Sequence, residues 1–228
     1  MGQAIESIAE SRGHSVVLKI NDTNLSDFTK ENLQKADVAI EFTRPEYAFA
    51  NIKSCIEWGV PIVSGTTGWL DKYSDVEALV AKTKGAFFYA SNYSVGVNIF
   101  FEVNKHLAKL MGSQSEYSVS MEEIHHMQKL DAPSGTAITL AEGIYEGMPS
   151  KNKWVNESTS EEDSVGIVSK REPNVPGTHT IFYDCAVDTI EIKHTAHSRK
   201  GFATGAVLAA EFIKEKEGVF GMSDMLGI

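Results

Sequence analysis

The chain is poor in cysteine, in basic charge and in long apolar runs. Cys55 and Cys185 are its only cysteines among 228 residues, too few for a disulfide framework and typical of a reducing compartment. The net charge of −10 argues against nucleic acid as a partner, because phosphate backbones attract basic surfaces. No apolar run approaches the roughly 20 residues that span a bilayer, and the first residues lack the pattern of a secretory signal. We expect a cytoplasmic protein that binds neither nucleic acid nor a membrane.

Hydrophobic residues make up 42% of the chain, enough for a substantial core, and the length suits two small domains. In the first part of the chain, segments of helical periodicity alternate with apolar runs at 15–20, 36–42, 60–65 and 86–91. Strands that alternate with helices predict a parallel sheet covered on both faces. Because ligands bind beyond the carboxyl ends of such strands, we expect them at the polar loops after the last three runs.

The pattern changes after Gly96. The next segment predicts a helix whose apolar stripe comprises Phe100, Val103, Leu107 and Leu110. A strand at 117–124, a second helix and a polar surface loop at 151–164 precede three consecutive strands, the last two of which form a hairpin. This order predicts an α+β domain with a mixed, mostly antiparallel sheet. A last helix follows Arg199 and Lys200, a basic turn that either binds a ligand or is solvated.

Residues 122–137, EEIHHMQKLDAPSGTA, concentrate the groups of a candidate site. Ser134, Gly135 and Thr136 open a helix, whose N–H groups and partial positive charge favour anions such as carboxylates. An ordinary serine cap is the alternative interpretation. His125 and His126 end a strand, so their side chains should point to opposite faces.

Histidine suits proton transfer near neutral pH, and Lys129 adds a cation beside the two imidazoles. A structural role for the histidines is the alternative. No metal is expected, because the stretch has no cysteine and no second histidine at the i+4 spacing of a helical zinc site. His179, His194 and His197 could in principle converge on one site, but nothing in the sequence predicts that they do.

Further stretches, in order along nearly the whole chain, carry a resemblance to a known family. They are EFTRPE, SGTTGW, ASNYSVGVN, HHMQKLDAPSGTA, VPGTHT, HSRKGFATGA and GVFGMSDML. The chain closely resembles the 4-hydroxy-tetrahydrodipicolinate reductases (dihydrodipicolinate reductases) of bacterial lysine and diaminopimelate synthesis. The resemblance implies that 4-hydroxy-tetrahydrodipicolinate, a small dicarboxylate, is reduced to tetrahydrodipicolinate with NADH or NADPH. It also implies a Rossmann-like domain at 1–93 and 204–228, and a mixed-sheet domain at 94–203 that binds substrate and builds a homotetramer.

The resemblance implies roles for individual residues. His125 matches the proton donor of the family's motif, and Lys129 the second donor or cationic substrate contact. The implied substrate-binding residues are His126, Ser134, Gly135 and Thr136. The implied cofactor-binding residues are Gly65, Thr66, Thr67, Ala90, Ser91, Asn92 and Tyr93, with Arg44 and Asp22.

The start of the chain departs from the family pattern. The family begins with a strand that runs into a G-x-G-x-x-M-G loop, whereas Met1 and Gly2 resemble only the end of that element. We expect a shortened N-terminus, a sheet without its first strand and impaired cofactor binding, because that loop holds the pyrophosphate. Asp22 fits the spacing of the acidic ribose partner and Asn21 is a close alternative, so the choice between NADH and NADPH stays open.

A non-catalytic scaffold derived from the reductase, which binds a dicarboxylate or only assembles oligomers, is the competing hypothesis. His125 and Lys129 favour the enzyme, and the missing glycine-rich loop favours the scaffold.

Overall fold

The computed structural model describes residues 1–198 and 200–228, so Arg199 of the predicted basic turn lies outside the described residues. The chain forms two compact units. Unit 1 comprises Met1–Val95 and Lys200–Ile228, and unit 2 comprises Gly96–Arg199. Within the described ranges, no helix combines the length and the apolar character needed to cross a membrane.

Strands and helices alternate along most of the chain. The strands are β1 (Ala39–Glu41), β2 (Ile62–Ser64), β3 (Ala86–Tyr89), β4 (Ser118–His125), β5 (Lys153–Val155), β6 (Ser164–Arg171), β7 (Gly177–Asp184), β8 (Thr189–Ala196) and β9 (Gly218–Phe220). The helices are α1 (Gly2–Ser11), α2 (Lys30–Leu33), α3 (Pro45–Glu57), α4 (Tyr73–Thr83), α5 (Val95–Met111), α6 (Gly135–Gly147), α7 (Lys200–Ile213) and α8 (Met222–Leu226).

Unit 1 contains a parallel sheet in the order β1-β2-β3-β9, and the predicted Rossmann-like arrangement is confirmed. Every residue of β2 is buried, as expected for an inner strand covered on both faces. α3 begins at Pro45, whose fixed φ and missing N–H suit the first turn of a helix. α7 lies so close to the loop after β3 that a Cβ on Gly205 would be 1.7 Å from the carbonyl oxygen of Tyr93. Only glycine permits this approach.

The predicted strand at 15–20 is wrong, because these residues carry no strand in the structure. Val16 and Val17 are 38% and 55% exposed. A strand is defined by a backbone ladder to a neighbour, and among the described residues this segment has none. In the other direction, the sequence-based prediction missed β9 and α8, which lie beyond the last predicted helix.

Unit 2 is built on a sheet in the order β5-β6-β4-β7-β8. β4 pairs in parallel with β6 and antiparallel with β7, and β7 forms the predicted hairpin with β8. The mixed sheet is therefore confirmed. β5 lies inside the segment predicted as a surface loop and pairs in parallel with β6, so that prediction was wrong for Lys153–Val155. α5 and α6 contribute Phe100, Leu140 and Ile144 to the core on the sheet.

The predicted apolar stripe of α5 is only partly correct. Val103 and Leu110 are 45% and 57% exposed. The buried residues of the helix are Val97, Phe100, Asn104, Ala108 and Met111. Asn104 is fully buried, and its Nδ2 donates a hydrogen bond to the carbonyl oxygen of Leu140 at 2.8 Å. The buried side of α5 therefore includes the polar Asn104, and it does not include Val103 and Leu110 of the predicted stripe.

Candidate active site

β4 carries two titratable side chains into the interior of unit 2. Alternate residues of this strand are buried, beginning with Val119 and Met121 in the hydrophobic core. The same alternation buries Glu123 completely and leaves His125 only 7% exposed. Because side chains two residues apart share a face of a strand, the carboxylate and the imidazole lie on one side of the sheet.

Glu123 is surrounded by hydrogen-bond donors. The backbone N–H of Ser134 donates to its Oε1 at 3.0 Å, and the Oγ of Ser134 donates to its Oε2. The Oγ of Ser169, on β6, donates to Oε1 at 2.9 Å. Burial alone would raise the pKa of Glu123, but hydrogen bonds from His179, Ser134 and Ser169 lower it to about 2. The carboxylate is therefore ionised at neutral pH.

His125 lies beside this carboxylate and beside a second imidazole. Its Nδ1 is 3.6 Å from Oε2 of Glu123, and its ring centroid is 5.1 Å from that of His179. Burial lowers the pKa of His125 to about 4, and the nearby His179, Lys129 and Arg171 act in the same direction while Glu123 opposes them. The imidazole is neutral at pH 7, and its Nδ1 has no hydrogen-bond partner in the described part of the chain.

His179, on β7, completes the cluster. Its Nε2 lies 3.5 Å from Oε2 of Glu123 and 3.2 Å from Oγ of Ser134. Glu123, His125 and His179 could also hold a metal ion, since one ligand atom of each lies within 4.8 Å of the others. Glu123 already accepts hydrogen bonds at both oxygens, so the contacts present are those of a hydrogen-bond network. The expectation of no metal stays a prediction.

The loop between β4 and α6 carries the candidate cation. The Nζ of Lys129 donates to Oδ2 of Asp131 at 2.9 Å. Arg171, at the end of β6, holds the loop by donating to the carbonyl oxygens of Lys129 at 3.2 Å and Asp131 at 2.6 Å. His126 begins the loop and is half-buried. The Lys129 ammonium is thus part of a loop fixed to the sheet.

The N-terminus of α6 has the predicted form. Ser134 is the cap residue, and its Oγ accepts a hydrogen bond from the N–H of Ala137 at 3.2 Å. Gly135 is exposed, and a Cβ on it would meet nothing within 4 Å among the described residues, so open space adjoins the helix tip. Thr136 is half-buried in the same turn. Unit 2 therefore brings His125 and Ser134 together at Glu123, and Gly135 and Thr136 follow Ser134 at the helix tip.

Apart from Asp22, the residues predicted to bind a cofactor lie at one edge of the sheet of unit 1. Glu41, Ser64 and Tyr89 are in register, so the loops after β1, β2 and β3 leave from one edge. Thr66 is buried and its Oγ1 donates to Oε1 of Glu41 at 2.7 Å. Tyr93 is also buried, and its hydroxyl donates to the carbonyl oxygen of Ser64 at 2.7 Å. These two side chains hold the loops in place.

The remaining predicted cofactor residues differ in exposure. Ala90 is buried, and Gly65 lies under the ring of Phe42, which a Cβ on that glycine would approach to 2.1 Å. Asn92 is half-buried. Exposed are Arg44, Thr67, Ser91 and Asp22, the last in a turn that follows the segment 15–20. A guanidinium and hydroxyl groups at the carboxyl edge of a parallel sheet fit an anionic dinucleotide.

Profiles of two protein domains match almost the whole chain. The N-terminal domain of dihydrodipicolinate reductase matches residues 1–93, and the C-terminal domain of the same enzyme matches residues 96–226. The chain belongs to the dihydrodipicolinate reductase family.

Individual members of the dihydrodipicolinate reductase family are similar over both units. The 4-hydroxy-tetrahydrodipicolinate reductase of Christiangramia forsetii is 52% identical across 99% of this chain and 93% of its own length. That of Methanococcoides burtonii is 38% identical across 90% of this chain and 80% of its own length. The solved structure of the dipicolinate-bound dihydrodipicolinate reductase from Paenisporosarcina sp. TG-14 gives a TM-score of 0.76 at 25% identity, covering 98% of this chain and 94% of that chain.

Four residues of this cluster were not predicted from the sequence to be site residues. They are Glu123, Ser169, Arg171 and His179. A signal existed for Glu123, because it precedes His125 by two residues and so shares its face of a strand. The other three reach the cluster through the pairing of β6 and β7 with β4, which no local pattern specifies.

Proposed function

We propose that this chain reduces 4-hydroxy-tetrahydrodipicolinate to tetrahydrodipicolinate in lysine and diaminopimelate biosynthesis. The reaction takes a hydride from NADH or NADPH and a proton, and it releases water. The supporting observation is the cluster in unit 2, where a buried imidazole and an open helix tip belong to one motif in a member of this family. In this proposal, residues 94–203 form the substrate domain, and residues 1–93 with 204–228 form the cofactor domain.

The substrate carries two carboxylates, and the motif offers positive groups within an acidic protein. Ser134, Gly135 and Thr136 lie at the N-terminus of α6, where helix amides and the helix dipole favour an anion. Lys129 supplies a full charge. Its partner Asp131 has a side chain that is 60% exposed, so a substrate carboxylate can replace this weak surface pair. His126, in the same loop, is assigned to the substrate as well.

His125 is the proposed proton donor. Its lowered pKa keeps the imidazole neutral before substrate binds. A doubly negative ligand beside it favours the charged imidazolium, so binding should be accompanied by uptake of a proton. That proton then quenches the charge left on the substrate after hydride arrives. Lys129 is the second candidate donor in this scheme.

A nicotinamide cofactor, when bound, supplies the hydride. Residues of unit 1 that would hold it are the loop amides at Gly65 and Ala90 and the side chains of Arg44, Thr67, Ser91 and Asn92, with Thr66 and Tyr93 supporting the loops. Asp22 would bind the ribose hydroxyls of NADH, whereas Arg44 would favour the extra phosphate of NADPH.

We also propose a cytoplasmic homotetramer. Both cysteines are free thiols, as a reducing compartment requires. β8 is one of the two edge strands of its sheet, and Ile190 on it is 38% exposed, which is consistent with contact to another copy. Light scattering on purified protein measures the assembly directly.

The test of the reductase proposal uses absorbance of the reduced nicotinamide and freshly generated substrate. The unaltered chain should consume the cofactor, and His125→Gln should lower kcat at least about 100-fold because it removes the proton donor. His106→Gln, which changes an exposed histidine on α5, should retain activity. Absence of turnover in the unaltered chain at saturating NADH and NADPH, with dicarboxylate binding retained, would support the scaffold hypothesis instead.

A further inference from the structure

Glu123 has no direct part in the reaction proposed above, yet it is a fully buried charge with several hydrogen-bond donors. It is fully buried, and its ionised carboxylate accepts hydrogen bonds from both the backbone and the side chain of Ser134. These contacts join β4, which carries His125, to the cap of α6, which adjoins the proposed carboxylate site. The two functional elements thus meet at one side chain.

Resting on the proposed function, we infer that Glu123 is a positioning residue for the dicarboxylate substrate, which fixes the N-terminus of α6 relative to His125. α6 has 13 residues, so its N-terminus carries the dipole of a full helix. Gly135, its first residue, directly follows the serine that Glu123 holds. A shift of Ser134 would therefore shift the amides that face the ligand.

The direction of the hydrogen bonds explains why a carboxylate is needed here. The hydroxyl of Ser134 gives its proton to Glu123, which leaves the oxygen able to accept from the N–H of Ala137 at 3.2 Å. A carboxylate only accepts, so it enforces this direction. A glutamine of the same size would present an N–H₂ group at one of the two oxygen positions. At Oε1 the bonds from the N–H of Ser134 and the hydroxyl of Ser169 would be lost, and at Oε2 the bond from the hydroxyl of Ser134 would be lost or reversed.

The other partners of Glu123 come from β6 and β7. Ser169 donates to Oε1, and Nη1 of Arg171 lies 4.0 Å from the same oxygen. Nε2 of His179 lies 3.5 Å from Oε2. Contacts from β6, β7 and α6 therefore converge on one carboxylate, which restricts its position more than any single bond could.

The experiment compares Glu123→Gln with Glu122→Gln. Glu122 is the matched control, because it is the adjacent residue of β4, is partly exposed and pairs with Lys170 on the surface. Glu123→Gln should weaken the binding of dipicolinate, a planar dicarboxylate, at least about 10-fold and lower kcat/KM about 100-fold, as for displaced catalytic groups. The Kd for NADPH should change less than about twofold. Glu122→Gln should match the unaltered chain in all three quantities.

The pH profile supplies a readout that a purely structural role would not move. Glu123, 3.6 Å from Nδ1 of His125, favours the protonated form of that imidazole, while the neighbouring side chains of His179, Lys129 and Arg171 oppose it. Losing the carboxylate should therefore move the half-maximal pH of the limb of kcat that reports His125 to lower pH. A dipicolinate Kd and a pH profile unchanged in a folded Glu123→Gln protein would overturn the inference.

Ser169→Ala keeps the inference testable if Glu123→Gln does not fold. It removes one donor and leaves the charge, so dipicolinate binding should weaken roughly 2- to 5-fold, as for one hydrogen bond. Unchanged binding in this variant contradicts the inference. Failure of the unaltered chain to bind dipicolinate or to turn over substrate would instead reject the proposed function, and the inference with it. Activity in the unaltered chain, matched by the Glu123 variants, would reject the inference alone.

Discussion

Glu41 in unit 1 and Glu123 in unit 2 are both buried carboxylates near the carboxyl ends of strands, and both accept several hydrogen bonds. Glu41 accepts from the hydroxyls of Ser64 and Thr66 at 2.7 Å and from the N–H of Thr43 at 2.9 Å. These donors belong to the edge of one sheet. Glu123 accepts from serines as well, but imidazoles and a guanidinium lie within 4.0 Å of it.

The difference between the two glutamates lies in what surrounds them. Around Glu41, neutral donors tie together the loops after β1 and β2, so the carboxylate organises backbone. Around Glu123, the neighbours include the imidazoles of His125 and His179, so the contacts of this carboxylate depend on pH. A buried carboxylate thus anchors the loops at a sheet edge in one unit and a cluster of titratable side chains in the other. The predictions below test this contrast.

Acid should affect the cluster of unit 2 most. The folded pKa of His125 is lowered from 6.5 to about 4, so the unfolded chain binds this proton more readily. Above pH 6.5 this difference between the folded and unfolded chain has no effect on stability. As the pH falls from 6.5 toward 4, the free energy of unfolding should decrease by about 3 kcal/mol. The measurement is urea unfolding at a series of pH values, with the unaltered chain compared with His125→Asn.

His125→Asn lacks this imidazole, so its free energy of unfolding should decrease less between pH 6.5 and 4 than that of the unaltered chain. His106→Asn is the control, because His106 is exposed on α5 of the same unit and should leave the pH dependence as in the unaltered chain. Equal pH dependence in all three proteins would show that His125 is not the group that resists protonation.

Glu41→Gln should reduce the free energy of unfolding by about 2 kcal/mol, because it sets an amide against donors that need an acceptor. Since its partners all lie in unit 1, the dipicolinate Kd should stay unchanged. Urea unfolding followed through the buried Trp69 measures the stability change, and Glu217→Gln, on an exposed residue, is the control. A loss of dipicolinate binding in Glu41→Gln would contradict the separation of roles between the two carboxylates.

The same contrast explains what the sequence could predict. Alternating strands and helices indicated the parallel sheet of unit 1, and the clustering of His125, Lys129 and Ser134 in one motif indicated the candidate site, because these signals are local. The segment 15–20 looked like a strand from its composition, but a strand also needs a paired neighbour. The apolar stripe predicted for α5 did not include Asn104, whose hydrogen bond to Leu140 allows it to be buried there.

The rest of the cluster depends on contacts between distant segments. His179 lies 54 residues after His125 in the chain and reaches it only because β7 pairs antiparallel with β4. The quoted stretch VPGTHT marked the segment without giving it a role. In unit 1, the family resemblance implied that Thr66 and Tyr93 bind the cofactor, but their burial and internal hydrogen bonds follow from the register of β1, β2 and β3.

Gly135→Ala tests whether the open space at the tip of α6 belongs to a ligand. A Cβ there meets no atom of residues 1–198 or 200–228 within 4 Å, so stability should change by less than about 0.5 kcal/mol. If a carboxylate occupies the space, the added methyl group should weaken dipicolinate binding roughly 10-fold, about 1.4 kcal/mol, measured by calorimetry. Gly2→Ala is the matched control, because Gly2 is also the first residue of a helix and a Cβ on it likewise meets nothing. Equal dipicolinate affinities in the two variants would mean that the ligand carboxylate lies elsewhere, and the helix tip would then serve unit 2 only as a cap.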